Sequence, residues 1–388
     1  MTQNKPDNTL ALIAIIAAVT AMAVSLSLSI PLVSLSLERR GYGSDIIGLM
    51  GSLPALSFLL GSPFIPFWTR LFGVGKMLWG ALILAAVCIL SLAISDNIYF
   101  WFFLRLLIGF SMAILFLISE AWINTIAKEE TRGRTIAIYV SVMTCGFAFG
   151  PVLINIIGAE GVFPFVVSSL IVFSAGFAFL LVGGKFPDLS AQSRFSIMRF
   201  FKIAPMISAA ALLVAFFDGS VLTLLPVYGV KNGQTMEMAV LMTSALLAGN
   251  IVLQLPIGWL ADKYDRNWVI LGCGILGVVG ALLLPSTVSE PYLLWPMLIV
   301  WGGAVVGTYT IALVIMGQEF KGGDLITATA AVGALWGLGS LIGPTTAGVA
   351  MEVVKPHGMP ITFAAACFLF VVLVVWKIAA SKSTGNNT

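Results

Sequence analysis

Charge is scarce in this chain: of 388 residues, only 10% are Asp, Glu, Lys or Arg, against roughly one quarter in a soluble domain. A water-facing exterior of ordinary size cannot be built from so few charged groups. Histidine is nearly missing as well, with His357 the single instance, so a histidine metal cluster is excluded. The four cysteines, Cys88, Cys145, Cys273 and Cys367, are scattered through apolar runs without CxxC spacing. That spacing implies neither a disulfide framework nor a thiolate metal site, and the cysteines read as small buried hydrophobes. No metal and no cofactor are expected. The net charge of +3 is dispersed among separate loops, which leaves no basic patch for nucleic acid. Neither a nucleophile–base pair nor a phosphate-binding loop is present, so the chain does not read as an enzyme.

What it has instead is apolar length. Hydrophobic residues make up 59% of the chain, and twelve runs of about 20 residues, each enough to cross a hydrocarbon core of roughly 30 Å, succeed one another. The expected helices are 9–36, 46–66, 77–94, 98–126, 135–157 and 162–183, then 204–227, 236–257, 268–285, 291–316, 325–351 and 359–375. The first follows Lys5 and Asp7 and is too long for the core of a signal peptide. Between the sixth and seventh lies the only long polar connection, 184–203, carrying Lys185, Asp188, Arg194, Arg199 and Lys202. The predicted organisation is a six-helix bundle over 1–183, a central loop over 184–203 and a second bundle over 204–388, ending in a polar tail, 381–388, expected to be disordered.

The two halves repeat one another. Gly146-Phe-Ala-Phe-Gly150-Pro151 recurs 193 residues later as Gly339-Ser-Leu-Ile-Gly343-Pro344, and Pro63 lies the same distance before Pro256. Glycines four apart share a helix face and allow close backbone approach, while the proline after them removes a donor, so each copy is a packing face and a flexing point. Lysine and arginine follow the alternation of the loops: fifteen fall on the side holding both termini, four (Arg39, Arg40, Lys231 and Lys355) on the other, and Arg105 is left inside the membrane. Both termini and the central loop are therefore expected in the cytoplasm.

Two charges sit deep within apolar runs. Arg105 occupies the fourth helix, and an arginine there costs several kcal/mol unless it finds a partner or water. Asp218 occupies the seventh, in Phe216-Phe217-Asp218-Gly219-Ser220, and a carboxyl withdrawn from water favours its neutral form. Asp218 is thus the best candidate for a titrating group, with packing or capping beside Gly219 and Ser220 as the alternative. Asn250 and Gln254, four apart in the eighth helix, share a face suited to interhelical hydrogen bonds.

The turn Gly258-Trp-Leu-Ala-Asp262-Lys263-Tyr-Asp265-Arg266 resembles the signature of the major facilitator superfamily. Asp265 stands where that family usually has glycine, and the first-half copy has Thr69-Arg70 where the acid is expected. Leu104-Arg105-Leu-Leu-Ile-Gly109 is similar to the family's Arg-x-x-x-Gly pattern, and the layout looks like its YcaD-like branch. The resemblance covers essentially the whole chain and implies an all-α membrane protein, twelve helices in two pseudo-symmetric bundles, in a bacterial-type inner membrane, acting as a monomer on a small-molecule substrate. It also implies alternating access, with proton coupling at Arg105 and Asp218 and a cavity lined by helices one, four, seven and ten, including Ser25, Ser29, Trp301, Tyr309 and Thr310. A cytoplasmic gate is implied at Asp262, Lys263 and Arg266, facing Arg132 and Arg134, with Glu120 pairing Arg70 or Lys76. Gly146 to Pro151 resembles the signature of proton-exchanging exporters, although Val152-Leu153-Ile154 replaces its usual paired glycines. Proton-coupled export of a small organic or amphipathic compound is the first expectation, and proton symport of a small polar solute or metal chelate the second.

Overall fold

A computed structural model describes residues 8–126, 132–181, 200, 202–320 and 322–385. Among them the regular structure is helical throughout: α1 (Asn8–Arg39), α2 (Ser44–Gly61), a 3-10 turn (Ser62–Phe64), α3 (Ile65–Phe72), α4 (Val74–Ile94), α5 (Ile98–Ile126), α6 (Arg132–Ile157) and α7 (Phe163–Leu181). There follow α8 (Pro205–Lys231), α9 (Met236–Lys263), α10 (Arg266–Thr287), α11 (Pro291–Glu319), α12 (Gly322–Val353) and α13 (Gly358–Gly385). Ten stretches of the described residues are helical, long and apolar enough to cross a membrane, with 44–72 counting as one. Helices satisfy their own backbone groups, which is what a medium without water demands. Exposed Leu60, Phe67, Phe177, Leu255, Leu282 and Leu369 suit contact with lipid chains.

Two boundaries differ from the sequence expectation. The second run was expected to end at Pro66, yet the chain bends at Ser62–Phe64 and resumes as α3, because Pro66 falls in the first turn of the new helix, where its missing donor costs nothing. The last helix was expected to stop near Val375 and give way to a disordered tail from Ser381, but α13 runs on to Gly385. Extending an existing helix adds a hydrogen bond per residue ordered, so a polar sequence without a proline can follow.

The chain divides into two compact units: 1–36 with 53–192, and 37–52 with 193–388. In the first, α4 packs on α5 and α7, and buried Ser169 donates from α7 to the Ala86 carbonyl of α4 at 2.8 Å. In the second, α8 packs on α12, α9 on α11, and α10 on both α11 and α13. Its core includes Phe217, whose ring centroid lies 4.9 Å from that of Trp301 and 5.0 Å from that of Phe363. Residues 37–52, which include the outset of α2, cluster with the second unit rather than with their sequence neighbours.

Candidate functional site

The two deep charges differ in their exposure to solvent. Arg105 is completely buried in the first unit. One turn further, at Gly109, a Cβ atom would stand 2.3 Å from the Pro54 Cα atom of α2, so α5 is held by backbone contact where its arginine sits. Asp218 lies on α8 in the second unit, and its Oδ1 atom is shielded from solvent and accepts no hydrogen bond. Its neighbours are committed elsewhere: Phe217 to the rings of Trp301 and Phe363, and Gly219 to α12, where a Cβ atom would lie 3.3 Å from Ser340 and 3.4 Å from Pro344.

The repeated glycine faces extend to the surfaces they meet. At Gly150 of α6, a Cβ atom would fall 2.0 Å from the Ser27 Oγ atom of α1, and at Gly343 of α12 it would fall 2.7 Å from the Ser220 Oγ atom of α8. Ser27 and Ser220 are themselves 193 residues apart, so donor face and acceptor face repeat in one register. Gly146 meets Thr20 and Ala23 of α1, and Gly339 meets Leu212 and Ala215 of α8. Pro151 and Pro344 follow within α6 and α12 without ending either helix.

Several expected cavity residues have bonds inside their own units. Ser25 is buried and bonds Ser168 of α7, at 2.9 Å to its carbonyl and 3.0 Å between hydroxyls. Ser29, also buried, donates to the Leu26 carbonyl at 3.1 Å. Trp301 donates from Nε1 to the Gly277 carbonyl at 3.0 Å and is buried. Tyr309 stacks edge-on against Trp336, with centroids 5.4 Å apart. Thr310 of α11 donates to Gln254 of α9, so the polar face read on the eighth run does bond a neighbouring helix.

At the turn between α9 and α10, Asp265 caps α10, its Oδ1 atom accepting from Asn267 N at 2.8 Å. The residue that departs from the expected glycine thus meets an orphan amide of the helix start. Arg266 donates to Gln318 of α11 at 2.6 Å, Lys263 lies 5.0 Å from the Trp259 ring centroid, and Asp262 is exposed. The side chains of Arg132 and Arg134 lie outside the described residues. Thr69, in the place of the expected acid, is buried and donates to the Ile65 carbonyl at 2.7 Å. Arg70 is exposed, and Glu120 on α5 lies within electrostatic reach of Tyr139 on α6.

Sequence reasoning did not single out the polar groups around residues 37–52. Glu38 pairs with Lys231 at 3.4 Å, Ser44 N donates to Glu352 Oε1 at 2.6 Å, and Lys355 binds the other carboxylate oxygen at 2.8 Å. That carboxylate raises the pKa of the exposed Lys355 ammonium above its ordinary value. Ser52 and Thr345 share a hydrogen bond of 2.7 Å. A Cβ atom on Gly48 would stand 2.1 Å from the Pro344 carbonyl oxygen, and one on Gly348 would stand 2.3 Å from that of Ser44. The available signal was that Lys231 and Lys355 are two of only four basic residues on their side of the loop count. Replacing Glu352 by glutamine leaves an acceptor for Ser44 but removes the charge shared with Lys355, and is expected to lower the midpoint of thermal unfolding slightly. A Glu352→Gln protein as stable as the parent would show that the carboxylate charge contributes nothing to seating this segment.

The comparisons agree with this architecture. The model of the Major Facilitator Superfamily matches residues 10–249 and 207–387. The chain is 26% identical over 343 residues to the uncharacterized MFS-type transporter YfkF of Bacillus subtilis, covering 86% of this chain and 87% of that protein. It is 21% identical over 355 residues to the uncharacterized MFS-type transporter YcaD of Salmonella typhi, covering 91% and 92%. Among solved structures, a variant of the nucleoside transporter NupG superposes with a TM-score of 0.75 at 14% identity, over 94% of this chain and 99% of that one. A bacterial homolog of the human lysosomal transporter Spinster, inward-facing and occupied, gives 0.75 at 14% identity over 98% of both. The chain belongs to the Major Facilitator Superfamily, and is a transporter rather than an enzyme.

Proposed function

We propose that this chain is a secondary active transporter that works by alternating access and exchanges protons for a small organic or amphipathic compound, which it exports. It crosses a bacterial inner membrane twelve times, with α2 and α3 forming one crossing, both termini in the cytoplasm, and functions as a monomer. The observation that carries the reading is Asp218: a half-buried carboxyl in an apolar unit, with one oxygen shielded from solvent and accepting no hydrogen bond, is a group that gains from taking up a proton. Arg105, buried in the other unit, supports it, since a merely structural bundle gains nothing from keeping a deep charge in each half. Uptake of a small polar solute by proton symport is the second reading, favoured by the hydrogen bond between Thr310 and Gln254.

Residues 37–52 fit the part of a detachable element. They are held by the polar contacts and close glycine approaches above together with buried Leu37, Ile47 and Met50, and these apolar side chains set the cost of leaving the packing. On the cytoplasmic side, exposed Asp262 is the proposed gate residue, its carboxylate pairing with Arg132 or Arg134 when that side closes. Asp262→Asn is expected to reduce transport several-fold by unbalancing inward and outward states; unchanged flux and unchanged accessibility of both sides would remove the gate. The function itself is tested in sealed everted vesicles with an imposed proton gradient. Lipophilic dyes and amines should dissipate the gradient in a protein-dependent way, whereas no response to any compound in either gradient direction would overturn proton-coupled transport.

A further inference from the structure

The polar face of α9 carries one unmet donor and one unmet acceptor. Asn250 and Gln254 are four residues apart and share a side of the helix. Thr310 of α11 donates to Gln254 Oε1, which fixes the orientation of that amide. Its Nε2 atom therefore points elsewhere, shielded from solvent and donating to nothing. Asn250 is 8% exposed, and its Oδ1 atom is likewise shielded and accepts nothing. Leaving shielded amide atoms unpaired is costly, so two of them on one helix face mark a surface that completes its bonds with a further group.

That surface continues across two more helices. Val306 lies three residues before Tyr309 and four before Thr310, so the three share a face of α11, and all three are half-buried. Thr310 meets α9 through Gln254. Tyr309 meets half-buried Trp336 of α12 edge-on, with ring centroids 5.4 Å apart. Amide groups thus form one edge, the aliphatic Val306 the middle and aromatic rings the other edge. None of these six residues is charged, so an ion finds no counter-charge among them. A flat ring gains from contact with tyrosine and tryptophan. The amide edge asks for an acceptor opposite Gln254 and a donor opposite Asn250, and the carbonyl and N–H of a lactam stand side by side in that way.

We propose that these residues form a binding surface for an uncharged flat ring with a lactam edge, its carbonyl accepting from Gln254 Nε2 and its N–H donating to Asn250 Oδ1. This deepens the transport reading by naming a class of compound carried, and rests on that reading for its physiological meaning. Its test is equilibrium binding without a gradient, so binding can fail while proton-driven flux of another compound survives, and the reverse.

Purified full-length protein in detergent is heated with oxindole, N-methyloxindole or pyrrolidone. N-methyloxindole keeps the ring and carbonyl but has no N–H, and pyrrolidone keeps the lactam but has no aromatic ring. Oxindole at about 1 mM should raise the midpoint of unfolding by about 2 °C or more, and the other two by clearly less. Gln254→Met and Asn250→Leu, which keep the bulk of the side chain, and Trp336→Leu should lose the rise, whereas Trp336→Phe, which keeps a ring, should retain it. No rise with oxindole, equal rises with oxindole and N-methyloxindole, or a rise that persists in both Gln254→Met and Asn250→Leu would overturn the surface. The contrast among the three compounds is read on the parent protein, so it decides even where a variant fails to fold.

Discussion

Asparagine at position 218 is expected to uncouple the protein from the proton gradient. The substitution preserves size and removes the ionisable group, so vesicles carrying Asp218→Asn should lose proton-driven flux by on the order of tenfold to a hundredfold, the range of a coupling free energy of 1–3 kcal/mol. Exchange of compound for compound at equal concentrations needs no net proton movement and should survive. The contrast between the two assays separates coupling from folding, because a misfolded protein loses both. Retained proton-driven flux in Asp218→Asn would transfer the coupling role elsewhere. Glu120, on α5 of the first unit, would be the next carboxyl to test.

Leucine at position 48 is expected to unseat residues 37–52. The nearest atom to a Cβ there is the Pro344 carbonyl oxygen, at 2.1 Å, followed by the Pro344 carbonyl carbon at 3.0 Å and the Gly348 Cα atom at 3.1 Å, and backbone cannot turn aside as a flexible side chain does. Overpacking of this kind costs typically about 1–3 kcal/mol, which shifts the seated-to-unseated ratio by roughly 5-fold to 150-fold. A cysteine introduced at Ser52, buried beside Thr345, should then react with a small maleimide correspondingly faster. An unchanged reaction rate would mean that the segment stays seated and the bundle distorts instead.

Much of this architecture could be read from the chain because membrane burial writes long, regular signals. Hydrophobic runs of helix length gave the elements, and the offset of 193 residues gave the two glycine faces. The same offset between Ser27 and Ser220 was not legible, since a serine in an apolar helix carries no mark of what it touches. For a similar reason the serines of α1 read as cavity groups, although Ser25 bonds Ser168 and Ser29 bonds its own helix: backbone and neighbour carbonyls are invisible to a side-chain pattern. Trp301 is an equivalent case, its ring in the aromatic core and its indole N–H on the Gly277 carbonyl. Asp265 was visible as a departure from the family turn, while its capping role required knowing where α10 begins. The clustering of 37–52 with the second unit could not have been foreseen from hydropathy, because Gly43, Gly48 and Gly51 contribute by what they omit.

Residues 37–52 are expected to alternate between their packing within the second unit and a released state. Pulsed electron–electron distance measurements between spin labels at Arg40 and Val354, on a background without the native cysteines, test it in lipid nanodiscs. Two distance populations are predicted, with Gly48→Leu enriching the longer one. A single narrow population, unmoved by Gly48→Leu, would contradict the account.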